Sequence, residues 1–351
     1  MEAFYRPSEI ARFTHELLVV AGVVPEDAAI VADNLTAANK RGVDSHGIVR
    51  LPVYLGNLEH GHVTKKTNCE IIHETPSSVL VDAHDGWGSV AGTFTMNVLI
   101  EKAKKTGVAM GGVRRSNHYG IAAYYGMMPL KYDMIGLSFT NASPMMAPWG
   151  GIRPYFGTNP VCLTFPAKKE RPVVYDGATT VVARGKIALH QKKGLPIPDT
   201  WGADAQGRPT TDPNVALNGL LMPMSTYKGS GFAMAVDILC GVLTGAAFGD
   251  HIADFYHMVR PPNIGHFFGV IDLRAFGDPE EFKEKIDEMT RAVHAQPLAY
   301  GTEKIYMPGE IEFDFEDERE ANGCPIPEAV YKELVECAKP YNVTPPQPIR
   351  R

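Results

Sequence analysis

The sequence predicts an α/β protein in which mixed sheets follow a group of N-terminal helices. Three observations carry this. Apolar residues recur at helical spacing through the first forty positions, and strand-like and helix-like runs alternate from about Ser77. A Gly/Pro-rich stretch between Asn141 and Asp199 then interrupts that alternation. Glycine (34) and proline (27) make up about 17% of the 351 residues, against roughly 12% in average usage, so many tight turns are expected. At this length a single core is near its size limit, and two domains are the prior.

Taken in order, Ser8 is placed to cap a helix carrying Ile10, Phe13, Leu17 and Leu18. Pro25-Glu26-Asp27 opens a second helix carrying Ile30, Val31, Leu35 and Ala38, and Gly42 is placed to end it. A third helix is expected from Asp44 or Ser45 to about Leu58, with Pro52 as a potential kink. Residues 78–82 read as a strand, 90–105 as a helix, 107–113 as a strand, 122–131 as a helix and 134–139 as a strand. Val161–Phe165 and Pro172–Tyr175 are short apolar runs in the Gly/Pro-rich stretch. Longer elements return after Lys228, at 265–273, at 280–293 and at 326–338, and the tail 343–351, with three prolines, is expected to be loosely held. The apolar segment 231–249 carries Asp237 at its middle and reads as a buried helix, not a membrane span.

The net charge of −6, from 34 Lys+Arg against 40 Asp+Glu, argues against a nucleic-acid binder. The N-terminus has no apolar run behind a positive region, so no signal peptide is expected. Five cysteines without a CxxC pair fit a reduced cytoplasmic protein. No metal site is expected: His60-Gly-His62 lacks further ligands at convincing spacing, and neither HExxH nor GxSxG occurs.

Four groups of residues are candidates for chemistry. Gly86-Trp-Gly88-Ser-Val-Ala91 matches the GxGxxA dinucleotide fingerprint, and Arg114-Arg115 ends the next strand, where an NADP-type Rossmann enzyme would hold its extra phosphate. The elements around it do not continue a doubly wound alternation. Second, Ser45, His46, Arg50 and Tyr54 share a stretch in which i, i+4 and i+8 would line one helix face. There a proton-transfer group sits beside a carboxylate clamp, as a 2-hydroxy or 2-oxo acid requires; a solvated polar face is the plain alternative. Third, Ser116-Asn-His118-Tyr-Gly120 follows an apolar strand, where ligands usually meet α/β sheets. Fourth, the turns around Asn141–Ser143, Gly157–Pro160, Asp176–Thr180 and Lys228–Gly231 are rich in small polar residues, and Lys228 precedes a glycine-rich helix start suited to a phosphate.

Together with Thr140-Asn-Ala-Ser-Pro144, Ile197-Pro-Asp-Thr-Trp201, Pro209-Thr-Thr-Asp-Pro213, Gly241–Gly249 and Pro308-Gly-Glu310, these segments resemble the non-Rossmann family of malate/L-lactate dehydrogenases. That family has ureidoglycolate, sulfolactate, diketogulonate and piperideine-carboxylate oxidoreductases among its relatives. The resemblance runs from Arg12 to about Gly309. It implies a non-Rossmann NAD(P)-binding α/β fold, a homodimer, and hydride transfer between nicotinamide and C2 of a small 2-hydroxy/2-oxo acid, malate/oxaloacetate or lactate first. It further implies a discontinuous catalytic, substrate-binding and dimerisation domain (1–125 with 295–351) and a cofactor domain (126–294). By position, His118 and His46 are the two candidates for proton transfer, with His118 ranked first. Arg50, Ser45 and Tyr54 would bind substrate. Asn141, Ala142, Ser143, Asp176, Gly177, Ala178, Lys228, Gly309 and Glu310 would contact NAD or, alternatively, NADP. The sequence departs from relatives at Ala142, where some have Ser, and at Gly177, where many have Met. A ureidoglycolate dehydrogenase or another 2-oxo/imino acid reductase is the alternative, and a Rossmann-type NADP reductase using Gly86–Ala91 a weaker one.

Overall fold

The computed structural model describes residues 2–192 and 194–349. The chain begins with strand β1 (Glu2–Tyr5) and helices α1 (Pro7–Val20) and α2 (Pro25–Lys40). Both helices start on a proline whose fixed φ suits the first helical position, so Pro7, not a Ser8 cap, sets the start of α1. Ile10, Phe13, Leu17 and Leu18 meet Val31 and Leu35 in one apolar core.

The single helix expected over 44–58 is instead two 3₁₀ turns, Asp44–His46 and Ile48–Arg50, followed by α3 (Leu51–Glu59). Asn39 makes the break. Its Oδ1 accepts from the Ile48 amide at 2.8 Å and its Nδ2 donates to Asp44 Oδ1 at 2.7 Å, which draws the chain between them off the helical path. Pro52 falls in the first turn of α3 and introduces no kink.

Next come β2 (Glu70–Thr75), β3 (Ser78–Asp82), α4 (Gly88–Thr106), β4 (Val108–Ser116), α5 (Ala122–Gly126), β5 (Met134–Thr140), β6 (Val161–Phe165) and β7 (Val173–Gly177). Helix α5 ends at Gly126, five residues short of the expected 131, because Thr164 takes the Gly126 carbonyl and Pro129 interrupts the next turn. Beyond β7 lie α6 (Arg184–Lys192), β8 (Gly202–Ala203), α7 (Pro213–Leu217), β9 (Leu220–Leu221) and α8 (Tyr227–Asp237), then β10 (Ile264–Asp272), α9 (Pro279–His294), α10 (Glu310–Asn322), β11 (Cys324–Pro327) and α11 (Glu328–Ala338). Strands β1, β2 and β11 and helices α6 and α10 were not legible in the sequence pattern.

Seven strands form one sheet in the order β2-β3-β4-β10-β5-β6-β7. Only β3 and β4 run parallel; β10 is inserted antiparallel between β4 and β5. A doubly wound Rossmann sheet is parallel throughout its nucleotide-binding half, so this topology overturns the Rossmann reductase reading. The sheet joins strands from both sides of residue 125.

Two further expectations are corrected. Helix α8 continues into a π-helical turn (Ile238–Val242), and the segment is buried on one side only: Phe232, Met234, Ile238, Val242 and Leu243 are exposed. Asp237 faces inward, accepting from Asn141 Nδ2 at 3.0 Å and from the Gly249 amide at 2.8 Å. The tail is held, not loose, through Ile349, whose amide donates to the Phe4 carbonyl, while Val343 packs on the N-terminal core; its two terminal arginines lie outside the described residues. No helix among the described residues is long and apolar enough to cross a membrane.

Candidate active site

Although no continuous helix joins them, His46, Arg50 and Tyr54 converge with His118. The His46 and His118 rings lie 5.5 Å apart at 20°, and His118 stacks on Phe255 at 5.0 Å with the ring planes 5° apart. Tyr54 Oη lies 2.8 Å from His118 Nδ1, and the Gly120 amide donates to the same nitrogen at 3.3 Å. An amide can only donate, so Nδ1 is the acceptor and the neutral ring carries its proton on Nε2. His46 Nδ1 lies 3.0 Å from Ser45 Oγ. Arg50 is held by the Tyr256 hydroxyl and by the faces of Tyr256 and Phe255, while its buried Nε has no partner.

The loop 116–120 is fixed from behind. His266 of β10 is fully buried, with Nε2 at 2.8 Å from Ser116 Oγ, Nδ1 at 2.8 Å from Thr140 Oγ1, and its ring stacked on Tyr119 at 4.6 Å. Burial and the Arg50 charge push the His46 imidazole down to about 3; burial also pushes His266 down to about 3. Burial, with His46 and Arg50 beside it, holds His118 well below its ordinary value. Burial raises the Tyr54 phenol. All three imidazoles are therefore neutral at pH 7.

Beside this group opens a cleft of about 600 Å³. Its walls include Ser45 and His46, the Asp176-Gly177-Ala178 turn after β7, Arg41, and the Pro308-Gly309 turn. Asp176 Oδ2 accepts from the Ala123 amide at 2.8 Å, at the start of α5. Its carboxyl is exposed to the cleft, and the protein around it keeps enough water away to push it up to about 6. Arg41 is pinned by Glu316 at 3.1 Å and by the face of Phe313, and its Nη2 has no partner.

The other expected cofactor contacts are placed differently. Asn141 points into the protein, donating to Asp237 and the Ala247 carbonyl and accepting from the Gly265 amide. Ser143 Oγ donates to the Ala253 carbonyl, and the Ala142 amide to Asn159 Oδ1. Glu310 accepts from the Met307 amide at 2.8 Å and pairs with His294 at 3.0 Å, which shapes the Gly309 turn. Lys228 is exposed in the first turn of α8, with no side-chain partner among the described residues. None of these five lines the cleft. Phe255, Tyr256, His266 and Arg41 were missed in the sequence. The first three come from segments more than 130 positions beyond His118 and carry no local motif; Arg41 precedes Gly42 at a helix end and reads there as a routine basic residue.

The GxGxxA turn has a different task from binding phosphate. A Cβ on Gly88 would lie 2.2 Å from the Asn117 carbonyl oxygen, so the start of α4 is packed against protein. Asn117 Nδ2 in turn donates to the carbonyls of Asp85 and Gly86, both at 3.0 Å. Arg114 and Arg115 are engaged by Asp82 and Asp85 at 2.9 and 2.8 Å. The turn cradles the loop that carries His118.

The sequence model of the family described as malate/L-lactate dehydrogenase matches residues 5–335. The chain belongs to the malate/L-lactate dehydrogenase family. It is thus a nicotinamide-dependent oxidoreductase acting on the CH–OH group of 2-hydroxy acids. Relatives of this dehydrogenase include a malate dehydrogenase of Pyrococcus horikoshii, 40% identical over 94% of this chain and 93% of that protein. An L-sulfolactate dehydrogenase of Methanothermobacter thermautotrophicus is 35% identical over 96% and 97%. Among solved structures, a malate dehydrogenase from Entamoeba histolytica superposes with a TM-score of 0.94 at 31% identity, over 98% of this chain and 99% of that one.

Proposed function

We propose that this dehydrogenase interconverts malate and oxaloacetate in the cytoplasm, with NAD as cofactor and NADP as the alternative. The observation that carries the reading is the convergence of Arg50, His118 and Tyr54 on His46, against the stretch of cleft wall that Ser45, His46 and Gly120 form. The cleft residues fit a nicotinamide dinucleotide. Arg41, with an unpartnered Nη2, offers a cation to the phosphates, and the turns Asp176–Ala178 and Pro308–Gly309 offer backbone to the rest.

When bound, the cofactor supplies hydride exchange at nicotinamide C4. Reduction of a 2-oxo acid at C2 would also need a proton on the C2 oxygen, which residues of this chain can deliver. His118, held by Tyr54 and Gly120, takes up a proton from solvent as its imidazolium, gives the Nε2 proton to that oxygen and is left neutral. Proton assistance of this type contributes typically ~10²–10⁴-fold. Arg50 pairs with the C1 carboxylate, and His46 with Ser45 orients the reacting oxygen. The bound carboxylate offsets the Arg50 charge that disfavours a protonated imidazole, so substrate binding itself raises the share of His118 that carries a proton to give. The test is a spectrophotometric screen of oxaloacetate, pyruvate and cyclic imino acids with NADH and NADPH, and of ureidoglycolate with NAD and NADP, in parallel. Oxaloacetate as the fastest substrate supports the proposal, and preference for ureidoglycolate or an imino acid overturns it.

The exposed apolar residues Phe232, Met234, Ile238, Val242 and Leu243 support a homodimer formed through this face. Sedimentation equilibrium checks it: Leu243→Asp should shift a dimer toward monomer.

A further inference from the structure

Helix α6 meets the substrate end of the cleft at its first turn. A Cβ built on Gly185 would stand 3.1 Å from Ser45 Cβ, so the backbone of 184–186 lies directly on the turn that carries His46, and Val182 and Ala183 line the cleft beside it. Arg184, next to that contact, is exposed and has no hydrogen-bond or ion-pair partner among the described residues. Its charge is felt at Arg50, whose own buried Nε is also unpartnered. The charged groups acting on His46, His118 and Arg50 are arginines, histidines and the Tyr54 phenol; no carboxylate is among them. Two guanidiniums thus flank the Ser45-His46 turn of the cleft wall, Arg50 buried behind it and Arg184 exposed beside it, with no acidic partner. One is enough for the C1 carboxylate of a 2-oxo acid, which leaves the second uncompensated.

Resting on the functional reading above, we propose that Arg184 binds a second acidic group on C3 of the substrate, so that the site selects dianionic 2-oxo acids over monoanionic ones. The shared chemistry is a carboxylate or a sulfonate one carbon beyond the reacting carbonyl; oxaloacetate and 3-sulfopyruvate are its two forms and pyruvate the monoanionic control. A guanidinium–anion contact of this kind is worth about 10- to 100-fold in discrimination.

The experiment compares kcat/KM for these three acids in the wild type, Arg184→Gln and Arg184→Lys. The oxaloacetate-to-pyruvate ratio should fall about 10- to 100-fold in the glutamine variant, mainly through KM, and recover in part in the lysine variant. A preference for sulfopyruvate that falls in the same way would identify the sulfonate as the group bound. A second readout needs no turnover. With NADH present, malate (a dianion that NADH cannot reduce) should raise the melting temperature of the wild type more than lactate does, and Arg184→Gln should remove that difference. An unchanged ratio, or equal protection of wild type and variant by malate, overturns the assignment of Arg184 alone. A wild type that turns over none of these acids overturns the functional reading, and this inference with it.

Discussion

His118 and His46 differ in what holds them, and that difference is testable one residue at a time. His118 has Tyr54, Gly120 and Phe255 around it, whereas His46 has only Ser45 at hydrogen-bond distance and faces the cleft. His118→Ala should lower kcat by about 10²–10⁴-fold while NADH still raises the melting temperature. If His46→Ala suffers that loss and His118→Ala does not, the proton-transfer role passes to His46. Arg50→Ala should raise KM and lower kcat for carboxylate substrates, by about 100-fold in kcat/KM; an unchanged kcat/KM removes the clamp. These residues were legible because their chemical types are costly to leave idle. Arg184, Arg41 and Phe255 were not, because each is an ordinary residue until a distant element is laid against it.

Elements set the precision of the site. Strand β10 delivers His266 between β4 and β5, tying Ser116 to Thr140 behind the 116–120 loop. Replacing His266 by Ala removes the bridge between Ser116 and Thr140 and leaves a cavity beside Tyr119, and should destabilise the protein by about 2–4 kcal/mol in denaturant unfolding, with kcat falling as the 116–120 loop loosens. Asp176 acts in the opposite sense. Its carboxyl is raised to about 6 in the fold against about 4 when unfolded, so the native state binds the extra proton. Stability from this group is therefore full at low pH and lost as pH rises through about 6. Asp176→Asn should melt higher than wild type at pH 8, and the gap should close below pH 5. Most long elements were legible from periodicity. The helix expected over 44–58 failed because Asn39, from a neighbouring helix, outcompetes the local backbone pattern. The short strands β1 and β11 have meaning only as a pair, more than 300 positions apart.

For the whole molecule, the buried neutral histidines make a shared prediction. Unfolded histidine takes a proton near 6.5, whereas His46 and His266 take one only near 3, and His118 is lowered as well. Between those values the unfolded chain holds more protons, so stability is lost as pH falls from about 6.5 toward 3. The melting temperature should drop steeply between pH 7 and pH 4.5, and His266→Gln, which keeps a hydrogen-bonding side chain, should flatten that slope.

The placement of β10 also dictates when the sheet can be finished during synthesis. Strands β4 and β5 are complete by residue 140, yet each presents a bare hydrogen-bonding edge until residues 264–272 leave the ribosome. For more than 120 codons the nascent chain therefore carries two open strand edges, the kind of surface that pairs with other chains. A fragment ending at residue 260 is expected to aggregate, and the full chain to fold slowly, since its central contacts span long stretches of sequence. The strand that braces the loop carrying His118 is also the one for which the rest of the sheet must wait.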